Sequence, residues 1–235
     1  MTFNFDMASA YDDDYPFAYP IMVLNRESSV ATLAMDGKTD FSGKGNNLIT
    51  SAKFNDEGMI CVKTSGSAAI PVKESANMTL VIALNMATKP AAAANIISSL
   101  TPGVAPFEGF RITQQPDGTA SVLVATGKAA PSNTTLSLGS ATGAWTMFAV
   151  SLSETQIVGM RANGNPLVKA LTDGRAVSSN QLVFNGAPDG SQLTDGFEGI
   201  CGGLAVYDST LSNDEMLEAL NDMRDAMVDK GIAMP

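Results

Sequence analysis

The stretch Gly202–Met216, GGLAVYDSTLSNDEM, joins the end of an apolar strand to the start of a helix. Leu204, Val206 and Tyr207 have the apolar character of a buried strand. The residues from Asp208 to Thr210 are turn formers, which end the strand. This stretch therefore predicts a closing strand that stops at Tyr207-Asp208 and leads directly into a helix.

The helix start carries several signals within a few residues. Ser212 and Glu215 have the spacing of a capping box, in which each side chain bonds the backbone N–H of the other residue. Leu211 precedes the cap and Met216 is the fourth helical residue, so the two can form a hydrophobic staple. Further apolar residues follow at helical spacing: Leu217, Leu220, Met223 and Met227. The pattern predicts an amphipathic helix that runs to about Asp229, where Gly231 ends it, within a C-terminal segment 212–235 that packs on the rest of the domain. A partner-binding helix is the alternative.

Upstream of this stretch, short apolar runs alternate with turn signals. The candidate strands are 21–24, 30–34, 59–62, 78–86, 110–114, 120–125, 145–152, 156–162, 167–170, 181–184 and 200–207. Pro116-Asp117-Gly118 and Asn163-Gly164 have the composition of hairpin turns. The segment 89–94 reads as a short helix or a loop, and 129–135 reads as a loop. Many short strands without alternating helices predict an antiparallel β sandwich or barrel.

Composition excludes several classes of function. The chain has 235 residues, a formal net charge of −10 and no histidine. The negative charge disfavours binding to nucleic acid or to anionic membranes. The absence of histidine excludes Ser-His-Asp and Cys-His catalysis and removes the commonest ligand of transition metals. No run of apolar residues reaches the ~18 needed for a membrane helix, and the N-terminal residues do not resemble a signal peptide.

Residues 1–20 differ from the rest of the chain. Asp12–Asp14 are surrounded by aromatic residues and two prolines, which disfavour a helix or a central strand. The segment is predicted to be an extended arm that packs on this domain or on a neighbouring subunit. Its candidate assembly contacts are Tyr11, Tyr15, Phe17 and Tyr19. The expected domain boundaries are an arm over 1–20, a sandwich over 21–211 and a helix over 212–235.

Four blocks of the sequence together resemble the laminin-G-like, concanavalin A-like jelly-roll family. Phe54–Val62 is similar to the family's early strand, and Asn77–Leu84 is similar to a central strand. Trp145–Gly164 resembles the family's W-x-x-V-A…Y-V-N-G pattern. Phe197–Glu215 resembles F-x-G-x-I-D-E-V-x-I-Y-D-R-A-L-S-x-x-E, although Cys201–Leu204 replace the residues after the family's Gly-x-Ile step.

This resemblance implies an all-β fold, a two-sheet antiparallel jelly-roll sandwich with a C-terminal amphipathic helix. One sheet would be concave, with loops at its rim, and Trp145 would lie in a buried strand. The early and final strands are commonly neighbours in such folds, which brings Cys61 and Cys201 near each other. Two buried free thiols remain the expectation, and a disulfide between them is the alternative.

The candidate sites for chemistry are few. Retaining glycosidases of this architecture need two carboxylates roughly 5 Å apart, and the sequence lacks the E-x-D-x-x-E strand that supplies them. No enzymatic activity and no cofactor are therefore expected. Calcium, which takes oxygen ligands from loops, is the alternative through Asp173, Asp189 and Asp195. Each of these residues precedes a glycine, so ordinary turns explain them as well.

Three functions remain open at this point. The first is a structural or adhesive component of a virion, such as a bacteriophage capsid-decoration or tail protein, made in the host cytoplasm. Its partners would be further copies of the chain or other capsid and tail proteins. The second is a carbohydrate-binding, lectin-like module that binds a glycan, with or without calcium. The third, a glycoside hydrolase, has no carboxylate pair to support it.

Overall fold

In the computed structural model, residues 19–101, 103, 105–162 and 164–234 are described. Fourteen strands and one α-helix make up most of this part. The elements are the 3-10 helix Pro20–Leu24, β1 Ser29–Leu33, β2 Ile49–Thr50, β3 Met59–Cys61, β4 Ala68–Lys73, β5 Met78–Met86, β6 Ala94–Ser98, β7 Phe110–Gln114, β8 Thr119–Ala125, β9 Asn133–Ser140, β10 Trp145–Leu152, β11 Gln156–Arg161, β12 Leu167–Ala170, β13 Gln181–Phe184, β14 Gly199–Tyr207 and α1 Asn213–Asp229.

The strands form two seven-stranded sheets. Sheet I has the order β1-β14-β5-β10-β11-β12, and β3 also pairs with β14. Sheet II has the order β2-β4-β13-β6-β7-β8-β9. Every pair of neighbouring strands is antiparallel. The predicted two-sheet antiparallel sandwich with a C-terminal amphipathic helix is confirmed.

The main core lies between the two sheets. Leu80, Ile82 and Leu84 of β5 point into it, and Phe110 and Ile112 of β7 meet them from sheet II. These side chains are fully buried. Alternation along each strand sends the intervening residues to the opposite face, as the period of two in a strand requires. These intervening residues form the outer face of each sheet.

A second apolar cluster covers the outer face of sheet I. The buried residues of α1 are Met216, Ala219, Leu220, Met223, Ala226 and Met227. They pack against outward residues of the sheet such as Val81, Ala83 and Ala149. Leu217, which the sequence placed on the apolar stripe, is instead 41% exposed.

Two glycines in β14 let α1 approach sheet I closely. A Cβ on Gly202 would lie 2.6 Å from Met227 Cε and 2.9 Å from Trp145 Cζ3, and a Cβ on Gly203 would lie 2.7 Å from Met223 Sδ. These glycines belong to the stretch in which the sequence departs from the jelly-roll pattern. The departure thus has a packing reason, because side chains at these positions would displace the methionines of the helix.

Several element predictions need correction. Ile21–Leu24 is part of a 3-10 helix and not a strand, because Pro20 suits a first helical position and cannot donate to a sheet. Strand β9 begins at Asn133, inside the segment 129–135 that was predicted to be a loop. Trp145 is half-buried under α1 instead of fully buried. Strands β2 and β4 were not predicted, nor was β6 beyond the loop at 89–94.

Candidate functional site

A cleft of about 320 Å³ opens on the outer face of sheet II. Its floor comes from three neighbouring strands. Arg111 of β7 and Leu123 of β8 are directly paired in register and point away from the core. Asn133 at the start of β9 also lines the cleft. The strand sequence Phe-Arg-Ile alternates between core and surface, which is how an arginine comes to lie on this face.

One wall of the cleft is the loop between β6 and β7. Leu100, Thr101 and Phe107 line it from this side. The two ends of the loop are tied together, since Thr101 N donates to Glu108 O and Glu108 N donates to Thr101 Oγ1, both at 2.9 Å. Leu100 is buried, whereas the ring of Phe107 is only half-buried. An aromatic surface is therefore available at the cleft.

A buried polar network anchors this wall. Ser99 Oγ donates to Glu74 Oε2 at 2.6 Å and accepts from Phe110 N at 3.1 Å. Glu74 also forms an ion pair with Arg175, and the two side chains are 0% and 1% exposed. Burial raises the pKa of Glu74, while the Arg175 guanidinium and the hydrogen bonds to the carboxylate act in the opposite direction. The network joins β4, the β6–β7 loop and the loop before β13.

The opposite wall is the loop between β13 and β14, through Ser191, Gln192 and Leu193. Asn95 of β6 is fully buried, and its Nδ2 donates to Leu193 O at 2.7 Å and to Asp195 O at 3.2 Å. This amide holds the end of the loop on the sheet. Buried polar side chains thus form hydrogen bonds that hold both walls of the cleft.

Arg111 is the single charged residue among the described residues that line the cleft. Burial lowers the pKa of Arg111, and no carboxylate contributes to that change. Polar residues continue along the same face of the sheet, where Gln115 Nε2 donates to Thr113 Oγ1 at 2.7 Å and to Ser121 Oγ at 2.8 Å. The outer face of sheet II therefore offers a cation, an aromatic ring and several hydrogen-bonding groups.

A larger groove of about 840 Å³ lies on the other side of the molecule, beside α1. It is acidic, since Arg26 is its single basic residue among the described residues that line it, and Arg26 pairs with two of the five carboxylates. Arg26 Nη2 lies 3.0 Å from Asp222 Oδ2 and 3.7 Å from Glu218 Oε2, and its guanidinium lies over the ring of Tyr207. These contacts hold α1 to the segment before β1. We assign the groove a structural role.

The structure does not bring the predicted calcium ligands together. Asp173 Oδ1 lies 3.0 Å from Lys128 Nζ, and Asp195 Oδ2 lies 3.5 Å from Lys63 Nζ. Asp189 is exposed in the β13–β14 loop. Across the described ranges, no group of three or more acidic or cysteine side chains could hold a metal ion. Calcium binding through these residues stays a prediction without a preformed site.

Residues of the stretch Gly202–Met216 join β14 to α1 and hold the start of this helix in place. Ser212 and Glu215 make both hydrogen bonds of a capping box. Leu211 and Met216 are buried in the apolar cluster beneath α1. Tyr207 is fully buried and donates from its hydroxyl to Leu24 O at 2.8 Å. Burial raises the pKa of Tyr207 to about 12.

Two more residues that the sequence singled out, Asp208 and Tyr19, lie within the described part of the chain. Asp208 is exposed, and its backbone N–H donates to Ser28 O at 2.9 Å. The ring of Tyr19 lies 4.2 Å from that of Phe41. Three of the predicted assembly residues lie outside the described residues: Tyr11, Tyr15 and Phe17. Neither Asp208 nor Tyr19 is among the residues that line the cleft on sheet II.

The two cysteines lie on neighbouring strands, as expected. β3 pairs with the start of β14, so that Cys61 faces Gly199 and Met59 faces Cys201. Both thiols are free and buried. Burial raises the pKa of the Cys201 thiol to about 12 and raises that of Cys61 well above its usual range. The expectation of two buried free thiols is confirmed.

The cleft residues were missed by the sequence analysis. Arg111, Phe107 and Asn133 come from three separate segments, and none belongs to a motif. One signal was present, since alternation along Phe-Arg-Ile places the charged Arg111 on the outward face of β7. Only the strand order shows that two loops flank this arginine and form a cleft around it.

No family model matches the sequence, and no curated protein matches it. Solved structures do match its fold. The binding domain of botulinum neurotoxin serotype D aligns with 83% of this chain at 11% identity and a TM-score of 0.62. The chain spans about half the length of that domain, 51%.

Two further similar structures come from sialidases. The CBM40 domain of Ruminococcus gnavus IT-sialidase, bound to α2,3-sialyllactose, aligns with 62% of this chain and 83% of its own length, at 15% identity and a TM-score of 0.52. Trypanosoma rangeli sialidase in complex with sialic acid aligns with 87% of this chain and 34% of its own length, at 14% identity and a TM-score of 0.65. At these identities the matches establish a shared β-sandwich fold.

Proposed function

We propose that this chain is a non-enzymatic, lectin-like carbohydrate-binding module of the concanavalin A-like type, and that it binds glycans in the cleft on sheet II. The observation that carries the proposal is the cleft itself. It combines the half-buried ring of Phe107 and the apolar side chain of Leu123 with hydroxyl and amide groups. Ligand sites typically pair an apolar surface with a few placed polar groups.

The chemistry of the lining suits a sugar ring. An aromatic side chain offers a flat apolar surface, and a pyranose presents a matching face of C–H groups. Thr101, Ser191, Asn133 and Gln192 can donate to and accept from the sugar hydroxyls. The described residues that line the cleft include no Asp or Glu that could serve as a paired acid and nucleophile. Binding without hydrolysis is the proposed outcome.

The structural neighbours support the same proposal and not the virion hypothesis. Two of them, the Ruminococcus gnavus CBM40 domain and the Trypanosoma rangeli sialidase, are named in complex with sialylated or sialic acid ligands. None of the reported neighbours is a capsid or tail protein. The lectin-like alternative from the sequence therefore replaces the structural virion component as the preferred function.

A glycan array probed with the full chain, with and without calcium, tests the proposal. We expect binding to a defined set of glycans. Phe107→Ala should reduce the affinity for the best ligand at least tenfold in isothermal titration calorimetry. Tyr19→Ala is the matched control, because Tyr19 is an exposed aromatic residue that does not line the cleft. An array without hits under both conditions would refute carbohydrate binding.

A further inference from the structure

The charge at the cleft on sheet II is opposite to that of the chain as a whole. The protein carries 24 acidic and 14 basic residues, for a net charge of −10. Among the described residues that line the cleft, Arg111 is the single charged side chain. No carboxylate of the described chain lies within 4 Å of its guanidinium. The site is therefore locally cationic on an acidic protein.

Arg111 also differs from the other four arginines. Arg26 and Arg175 each form an ion pair with a carboxylate. Arg161 donates to Ser140 O and Thr146 Oγ1, and Arg224 donates to Asn221 Oδ1. Within the described ranges, the side chain of Arg111 alone makes no hydrogen bond to the protein. Its five N–H donors are available to a ligand in the cleft.

The environment of Arg111 favours an anionic ligand. Burial removes part of the water around the guanidinium, as the direction of its pKa change indicates. Arg111 is half-buried, so its guanidinium stays accessible from the open cleft, where an anionic ligand can form charge-assisted hydrogen bonds with it. The walls are anchored by other polar groups, the Glu74–Arg175 pair and Asn95, so Arg111 is not needed to hold the loops.

We propose that the cleft binds an acidic sugar, and that Arg111 receives the carboxylate of that sugar. A planar guanidinium forms two parallel hydrogen bonds with a planar carboxylate, which neutral sugars cannot reproduce. Phe107 and Leu123 then contact the apolar face of the ring. This inference rests on the proposed carbohydrate-binding function and specifies the ligand as a uronic or nonulosonic acid glycan.

The decisive experiment compares a sugar acid with its uncharged form. An array presents uronic and nonulosonic acid glycans beside neutral and sulfated counterparts, and calorimetry measures the best acid and its methyl ester. We expect the ester to bind at least tenfold more weakly than the acid. Arg111→Gln should lower the affinity for the acid to that of the ester, and Arg111→Lys should retain part of it.

Two controls separate recognition from folding. Arg224→Gln removes an arginine of α1, on the other side of the sandwich, and should leave binding unchanged. Arg111→Gln should unfold at the same temperature as the unsubstituted chain or higher, because it removes a cation without a protein partner. The Nε–Hε resonance of Arg111 should shift on titration with the acid and stay in place with the ester.

The outcomes distinguish the two proposals. Binding of neutral glycans that is insensitive to Arg111→Gln would overturn the carboxylate inference and leave carbohydrate binding intact. Equal binding of sulfated and carboxylated glycans, both lost in Arg111→Gln, would show a general anion site and overturn the specific recognition of a carboxylate. An array blank for all glycans would overturn both.

Discussion

The outer faces of the two sheets differ, because α1 packs on that of sheet I whereas that of sheet II carries an open cleft. Sheet I is covered by α1, whose methionines and leucine pack on Val81, Ala83 and the two glycines of β14. Sheet II carries a cleft whose walls are held by buried polar groups, namely the Glu74–Arg175 pair with Ser99 and the amide of Asn95. Apolar packing closes the face beneath α1, whereas polar anchors fix loops at their ends and leave the space between them open. The contrast explains why the candidate ligand site lies on sheet II.

The largest expected effect concerns the polar anchor. Arg175→Met leaves the buried Glu74 carboxylate without its partner and should cost about 3–5 kcal/mol in the free energy of unfolding. Chemical denaturation monitored by fluorescence measures it. Lys128→Met is the matched control, because Lys128 pairs with Asp173 while its side chain is 50% exposed. That change should cost at most about 1 kcal/mol. Equal losses in both variants would contradict the role given to the buried pair.

The second largest expected effect concerns the apolar cluster between α1 and sheet I. Met223→Ala removes a fully buried side chain that contacts Gly203, and it should lower the free energy of unfolding by about 2–5 kcal/mol. Leu217→Ala, on the exposed side of the same helix, should cost less than about 1 kcal/mol. Glycan binding on sheet II should be unchanged in both variants when measured below their unfolding temperatures. A loss of binding in Met223→Ala would show that the two faces are coupled.

The smallest effect is a pH dependence at the edge of the covered face. The pKa of Tyr207 is raised to about 12 in the folded chain, so its contribution to stability is complete below the unfolded pKa of about 10. That contribution is lost as the pH rises through the folded pKa. The unsubstituted chain should thus lose about 1 kcal/mol more than Tyr207→Phe between pH 8 and pH 11.

Urea unfolding of both chains at pH 8 and pH 11 measures this difference. At pH 8, Tyr207→Phe should be less stable by about 1 kcal/mol, because the carbonyl of Leu24 loses a buried donor. The gap should narrow at pH 11. A gap that stays constant would show that Tyr207 is not protected from ionisation by the fold.

Much of the secondary structure could be predicted from local patterns. Strands β5, β7, β10, β12 and β13 have the predicted bounds, and the helix ends at Asp229 as expected. Strand β4 was missed because Ala-Ala-Ile-Pro-Val-Lys contains a proline, which argues against a strand. The segment Pro20–Leu24 was misread because four apolar residues fit a strand and a 3-10 turn equally well.

The candidate site was much less predictable. Its floor joins β7, β8 and β9, which are close in sequence, but its second wall begins at Ser191 in the β13–β14 loop, 80 residues after Arg111. That wall reaches the cleft because β13 pairs with β6 in sheet II. No local pattern encodes such a pairing, since it depends on which strands complement each other across the whole core.

The sequence by itself determined the antiparallel sandwich, the closing strand at Tyr207 and the capped helix that follows. These features depend on periodicity, turn residues and caps, which act over a few neighbouring residues. Only the tertiary structure decided which outer face α1 would cover and that Arg111 would line an open cleft without a carboxylate beside it. Burial and charge pairing are properties of the assembled sheets, and the same arginine on a covered strand would have had to find a partner within the protein.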